Sequence, residues 1–380
     1  MRSNSGRRTF LKGAGLTGTL ALAGCISSTD DTGGNTDTDT DTETDSTDDG
    51  TTETTDGGDG GSDVNVGMVY ATGGLGDKSF NDMAQQGAIQ ARDELGISFD
   101  QAQPEQNSDF SPAQRQFAES GDPDYDLISC IGFAQTDAVT QNAEQYPDQH
   151  FQLVDSVVEK ENVANYVFRE HEGSFQVGHL AGLLTTRDFS AGGGSTSPDS
   201  TTVGFVGGLD VPLINKFQAG YEAGIEYANG DVTVESTYVG SFNDAATARE
   251  AALSMYDAGA DIIYHAAGAS GLGVFQAAQE RGKYAIGVDA DQSRSEPDFA
   301  DYIIASMVKR VDTAVFNAIE SEVNGNFQGG GVVTLGLEAD GVACVYGQTL
   351  GDSLPSDIKT AVEDSRQAII DGEITVPTEL

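Results

Sequence analysis

The side chains able to perform covalent or acid–base chemistry are few and scattered in this sequence. The four histidines are His150, His171, His179 and His265, and the three cysteines are Cys25, Cys130 and Cys344. Catalysis needs a nucleophile beside its base, two acids at a working separation, or a cluster of metal ligands. His171 and His179 stand eight positions apart, which can place them on one helix face but is no metal motif. His265 ends an apolar run and reads as a structural hydrogen-bonding group. Cys130 and Cys344 lie inside the apolar runs 127–133 and 341–346, as buried thiols do. Three cysteines so spaced make neither a disulfide framework nor a metal cluster. The glycine-rich loops carry no phosphate fingerprint: Gly73, Gly74 and Gly76 lack the required spacing, and Gly271 and Gly273 follow a turn already rich in glycine. The expectation is a protein without catalytic residues, metal or cofactor, which captures a solute without changing it.

Such capture needs elements that hold loops rigidly, and the apolar pattern from residue 64 onward supplies them. Short apolar strands at 64–70, 127–131 and 151–154 alternate with helical segments at 79–95 and 137–145. The alternation resumes with strands at 202–206, 232–238, 262–265 and 284–288, and helices at 214–228, 245–258 and 273–281. Alternation of this kind specifies parallel sheets covered on both faces, so the fold class is α/β with two doubly wound lobes and a ligand cleft between them. A segment at 302–323, with Ile303, Met307, Val311, Val315 and Ile319 at helical spacing, reads as one helix returning to the first lobe. Ligands of open parallel sheets sit beyond the carboxyl ends of the strands. The informative loops are therefore 71–81, 132–137, 207–212, 240–244, 266–273 and 289–292. Asp289 directly follows an apolar strand, where one carboxylate can accept from two neighbouring hydroxyls.

The remaining length is set apart by composition. Arg7 and Arg8 precede an apolar stretch at 13–24 that is too short for a permanent membrane span, and this resembles a twin-arginine export signal. Leu22, Ala23, Gly24 and Cys25 resemble a lipobox, which implies cleavage before Cys25 and a lipid on its sulfur. Residues 26–63 hold 13 acidic side chains and no basic one, a composition that forms an extended linker and no packed core. Across the chain 61 acidic residues face 19 basic ones, a formal charge of -42 that repels nucleic acid. We read this excess as a halophile's solvated surface, and expect a haloarchaeal source.

Four ordered motifs then carry a resemblance. Gly-Asp-Lys-Ser-Phe-Asn at 76–81, Val-Gly-Phe-Val-Gly-Gly at 203–208 with Pro212 and Phe217, the glycine-rich 266–275, and Ile-Gly-Val-Asp-Ala-Asp-Gln at 286–292 resemble the basic membrane lipoprotein family. Members of that family have the type I periplasmic-binding-protein fold and deliver ligands, notably purine nucleosides, to ABC importers. The resemblance implies that Phe80 and Phe242 clamp a flat base, although either could be a core anchor. It implies that Asn81 and Asp137 meet the base or sugar edge, with helix capping the alternative for each. It brings backbone at Gly268 close to the ligand and makes Lys309 a ligand contact, a surface pair with Asp312 being the alternative; Asp289, by its own strand-end position, would take two ribose hydroxyls. The acid that the family often carries nine positions before the first phenylalanine is Ala71 here, which leaves the particular nucleoside open.

The expected division is a signal at 1–24, the lipidated cysteine and acidic linker at 25–63, a first lobe at 64–172 with 300–325, a second at 173–299 with 326–350, and a helix and tail at 351–380. The expected partners are a nucleoside, ABC permease subunits and, through the lipid, the extracytoplasmic face of the cell membrane, with the folded part a monomer. A surface receptor for signalling and, more remotely, a nucleoside-processing enzyme are the alternative readings.

Overall fold

The computed structural model describes residues 62–380. The export signal, Cys25 and nearly all of the acidic linker lie outside the described residues.

The first half of the described chain alternates β1 (Asn65–Val69), α1 (Phe80–Leu95), β2 (Ser98–Ala102), α2 (Phe110–Ala118), β3 (Leu127–Ile131), α3 (Thr136–Gln145), β4 (His150–Val154) and β5 (Val163–Phe168). Helix α4 (Glu170–Thr185) and a small hairpin of β6 (Ser190–Ala191) and β7 (Gly194–Ser195) follow. The second series runs β8 (Thr202–Gly207), α5 (Pro212–Ala228), β9 (Thr233–Tyr238), α6 (Ala245–Asp257), β10 (Ile262–Ala266), α7 (Leu272–Arg281) and β11 (Tyr284–Asp289). The chain ends with α8 (Gln292–Ser295), β12 (Ile303–Lys309), α9 (Val311–Val323), β13 (Val332–Leu335), β14 (Val342–Tyr346) and α10 (Ser356–Ile370).

Two six-stranded sheets result, with orders β13-β5-β4-β3-β1-β2 and β14-β12-β11-β10-β8-β9. Every pairing within them is parallel except that of β12 with β14. The central strands β3 and β10 are buried at every position, which is why they read as unbroken apolar runs. The edge strands β2 and β9 expose alternate or successive residues and carry Asp100 and Glu235, charges that discourage pairing with another chain.

The chain passes between the sheets three times: from β5 into α4, from β12 into α9, and between β13 and β14. Helix α4 packs on α5 of the second lobe, and α9 packs on α1 of the first. The α4 and α5 axes approach closely because glycines face backbone there. A Cβ on Gly178 would lie 2.2 Å from the Tyr221 carbonyl oxygen, and one on Gly224 would lie 2.1 Å from that of Phe175.

The single helix expected over 302–323 is instead two elements, a strand and a helix. Residues Ile303–Lys309 are buried at every position and pair with β11 on one side and β14 on the other. The four-residue spacing of Ile303 and Met307 fits a strand as well as a helix, since both positions fall on one face of either. Residues 303–309 thus belong to the second sheet and not the first, whereas β13, expected in the second lobe, completes the first.

Candidate ligand-binding site

The carboxyl ends of both sheets open on one cavity of about 160 Å³, space for roughly ten waters at the volume one water needs and so of solute size. Most of its wall comes from strand ends and the loops after them, completed by Phe80 and Asn81 of α1 and by Leu213, Ile214 and Phe217 of α5. Ala71 lies beyond β1, Gly132 and Phe133 beyond β3, and Asp155 immediately beyond β4. From the other lobe come Leu209 after β8, Phe242 after β9, Gly268 after β10, Asp289 at the end of β11 and Lys309 at the end of β12. Six of the seven expected ligand contacts, Phe80, Asn81, Phe242, Gly268, Asp289 and Lys309, are brought together there.

Asp137 is not among them. It lies exposed in the first turn of α3, because a short 3₁₀ turn at Phe133–Gln135 turns the chain before the helix begins. The buried side chain of that loop is Gln135, whose amide donates to the carbonyls of Val69 and Ile131 and ties the loop to the sheet. The first-lobe acids in the cavity wall are Asp77 and Asp155, and for Asp155 its position directly after the apolar run 151–154 was the available signal, the same one that pointed to Asp289. Phe217, present in the motifs but unassigned, also lines the wall.

The cavity wall carries apolar and charged side chains, which meet where the Lys309 ammonium approaches the Phe80 and Phe217 rings. Phe80, Phe133, Phe217, Phe242, Leu213 and Ile214 form the apolar wall. The Phe242 ring lies over Gly208, where a Cβ would come within 2.4 Å of it, so a glycine there makes room for the ring. Phe80 begins α1, and its ring lies 5.0 Å from the Lys309 ammonium, within cation–π range.

Asp77, Asp155, Asp289 and Lys309 are the charged side chains of the wall. Lys309, only 1% exposed, lies 2.6 Å from Asp155 Oδ2 and 3.2 Å from Glu170 Oε1. Glu170 also meets Lys216 at 2.6 Å. The surface pairing of Lys309 with Asp312 considered from the sequence does not occur, because Lys309 ends a buried strand instead of lying on a helix face. Burial alone would depress the Lys309 ammonium, but Asp155, Glu170 and Asp289 outweigh it and hold the lysine charged. Burial likewise pushes Glu170 upward, yet Lys309 and Lys216 draw its carboxyl below the usual range. Asp155 is raised by burial, against the pull of Lys309, and its Oδ1 has no hydrogen-bond partner among the described residues.

Asp289 accepts from Ser79 Oγ at 2.6 Å. Burial raises its carboxyl to about 7, Lys309 and the Ser79 hydrogen bond opposing the shift. Asp155 and Asp289 both adopt left-handed backbone, with φ of 68° and 63°. Such conformations in non-glycine residues cost free energy and cluster at ligand sites.

Asn81 is already engaged. Its Oδ1 accepts from the Ala71 amide at 2.9 Å and its Nδ2 donates to Asp77 Oδ2 at 3.0 Å, so it shapes the loop that carries Ala71. Asp77 in turn accepts from the amides of Ser79, Asn81 and Asp82 and organises the start of α1. His265 has the structural role expected of it: it is wholly buried, bonded through Nε2 to Gln292 Oε1 at 2.9 Å, and depressed to about 4 by burial.

Two sheets facing one cavity through their carboxyl ends, joined by three crossings, define a solute-binding protein of the type I periplasmic architecture. The chain belongs to the Bmp family, the PnrA-like ABC transporter substrate-binding proteins, whose pattern matches residues 64–379. It is 35% identical to an uncharacterised lipoprotein of Pyrococcus furiosus over 83% of this chain and 81% of that one. It is 32% identical to the ABC transporter nucleoside-binding protein BmpA of Lactococcus lactis, over 83% of this chain and 90% of that one. A solved solute-binding protein of an ABC transporter system from Aeropyrum pernix matches with a TM-score of 0.74 at 30% identity, covering 83% of this chain and 93% of that one. The family and the structural neighbour are solute-binding proteins, and this chain is one of them and not an enzyme.

Proposed function

We propose that the solute is a nucleoside, a purine nucleoside first among the choices, and that the chain hands it to the permease subunits of an ABC importer. The observation that carries this reading is the presence, in one cavity, of aromatic rings from opposite lobes, Phe80 and Phe242, beside the carboxylates of Asp155 and Asp289. A base between two rings loses water from both faces, and stacking of this kind contributes about 1–3 kcal/mol per ring. Ribose hydroxyls are donors, and the unpartnered Asp155 Oδ1 and the free capacity of Asp289 are acceptors. Gly268, Lys309 and the loop held by Asn81 complete the wall. The nucleoside-binding name of the Lactococcus relative supports the same reading. Titration calorimetry in molar salt, with purine and pyrimidine nucleosides, free bases, sugars and amino acids, tests it. Micromolar or tighter binding of a nucleoside is expected; a folded, ligand-free protein that binds none of them refutes the assignment while leaving the family intact.

The Pyrococcus relative is named a lipoprotein, which supports the second half of the reading: export directed by Arg7 and Arg8, and a lipid on Cys25 that holds the monomeric folded part outside the cell membrane. Mass spectrometry of the mature N-terminus should find lipidated Cys25, and C25S should release the protein or leave its precursor.

A further inference from the structure

A second set of contacts joins the two lobes beside the cavity without lining it. The loop before α1 is preset in the first lobe: Asp82 accepts from the amides of Gly76 at 2.6 Å and Lys78 at 3.1 Å, and Lys78 takes left-handed backbone at φ 55°. The Lys78 carbonyl thereby faces the second lobe. There it accepts from Gln292 Nε2 at 3.2 Å and from Ser295 Oγ at 3.1 Å.

The orientation of the Gln292 amide follows from its neighbours. The Val288 amide, which can only donate, lies 2.8 Å from Gln292 Oε1, and the Lys78 carbonyl, which can only accept, faces the nitrogen. His265 must then donate through Nε2 to the same Oε1, which fixes it as the Nε2–H tautomer and leaves Nδ1 without a proton. That Nδ1 has no partner among the described residues, as a neutral ring in an apolar setting permits. The Gln292 backbone amide is held in addition by Ser306 Oγ at 3.1 Å. Gln292 is 2% exposed while Lys78 is exposed, so its hydrogen bond to the other lobe is partly buried.

We propose that Gln292, oriented by His265 and Val288 and assisted by Ser295, is a closure clasp that takes the Lys78 carbonyl and stabilises the closed protein whatever the cavity holds. It is a positioning residue: neither Gln292, Ser295 nor Lys78 lines the cavity. A group that favours closure without touching ligand multiplies the affinity for every ligand by one factor. The clasp therefore sets how tightly the protein holds and leaves to the cavity what it prefers. The proposal rests on two-lobe capture but not on the identity of the solute.

The test compares adenosine and inosine with adenine and hypoxanthine on wild type, Q292M and S295A, by calorimetry at one salt concentration. Each lost cross-lobe hydrogen bond should weaken binding roughly two- to tenfold. The ratio of riboside to base affinity should stay at its wild-type value. A changed ratio, or unchanged affinity in Q292M, overturns the proposal. S295A removes one arm of the clasp through a small change beside solvent and guards against a misfolded Q292M. A second arm needs no ligand: the rate of disulfide trapping in K78C/S295C should fall severalfold when Q292M is added. Equal rates refute the clasp. Failure of every probe to bind wild type would refute the nucleoside reading alone, since the trapping arm still decides.

Discussion

Lys309 and Asp155 come from different sheets, yet their charged groups meet at 2.6 Å in the wall of the cleft. Each lies at the carboxyl end of its own strand, and Lys309 is followed at once by a crossing into the other lobe. Removing the lysine alone leaves Asp155 buried without its ion-pair partner and Glu170 with Lys216 alone. K309M should therefore cost about 3–5 kcal/mol of stability. K309M/D155L should recover part of that loss, and urea unfolding at fixed salt measures both. A K309M protein as stable as wild type would show the pair to be solvated.

Truncation of either clamp ring should weaken nucleoside binding without unfolding the protein, since Phe80 and Phe242 are only half-buried. F80A and F242A should each lose about 1–3 kcal/mol of binding free energy. D137N supplies the contrast: an exposed side chain outside the cavity should leave affinity within twofold of wild type, and calorimetry on all three separates wall from surface.

Asp289 gives the cleft a dependence on pH. Its raised carboxyl lets the native protein keep, up to about pH 7, a proton that the unfolded chain releases in the ordinary carboxyl range. The resulting contribution to stability is full below that ordinary range and is lost as pH rises to about 7. Riboside binding should run the other way, because hydroxyl donors favour the ionised form that Lys309 also favours and that Asp155 and Asp77 oppose. Affinity for a riboside should rise across neutral pH and affinity for the free base should not. D289N should abolish the difference and weaken ribosides far more than bases, which titration between pH 5.5 and pH 8.5 would read.

The charge of -42 should make stability depend on salt. At about 1 M salt the screening length is about 3 Å, and repulsion between surface carboxylates largely disappears. The midpoint of thermal unfolding should rise steadily from low salt to molar salt; a flat response would count against the halophilic reading.

The strand-end loops were legible in the sequence because buried parallel strands are unbroken apolar runs that stop abruptly, as at Val154 and Val288. The same rule applied evenly would have found Asp155. Residue 137 misled because its loop is one of the cleft loops, while a short helical turn carries that particular position past the opening. Strand β2, with the sequence Ser-Phe-Asp-Gln-Ala, has no apolar run to find, since an edge strand with a solvated face need not have one. The hydrogen bonds of Lys78 with Gln292 and Ser295 join residues more than 200 positions apart, and no periodicity encodes such a pairing.

The three crossings also set an order of assembly. The outer strand of the first sheet is Val332–Leu335, and the helix that covers α1 is Val311–Val323, so the lobe that begins at residue 64 lacks an edge and a face until nearly the whole chain exists. A bead-like domain can fold as it leaves the ribosome. This one must wait for its own far end, and both lobes reach completion almost together. A chain of that kind reaches its final packing only after release from the ribosome.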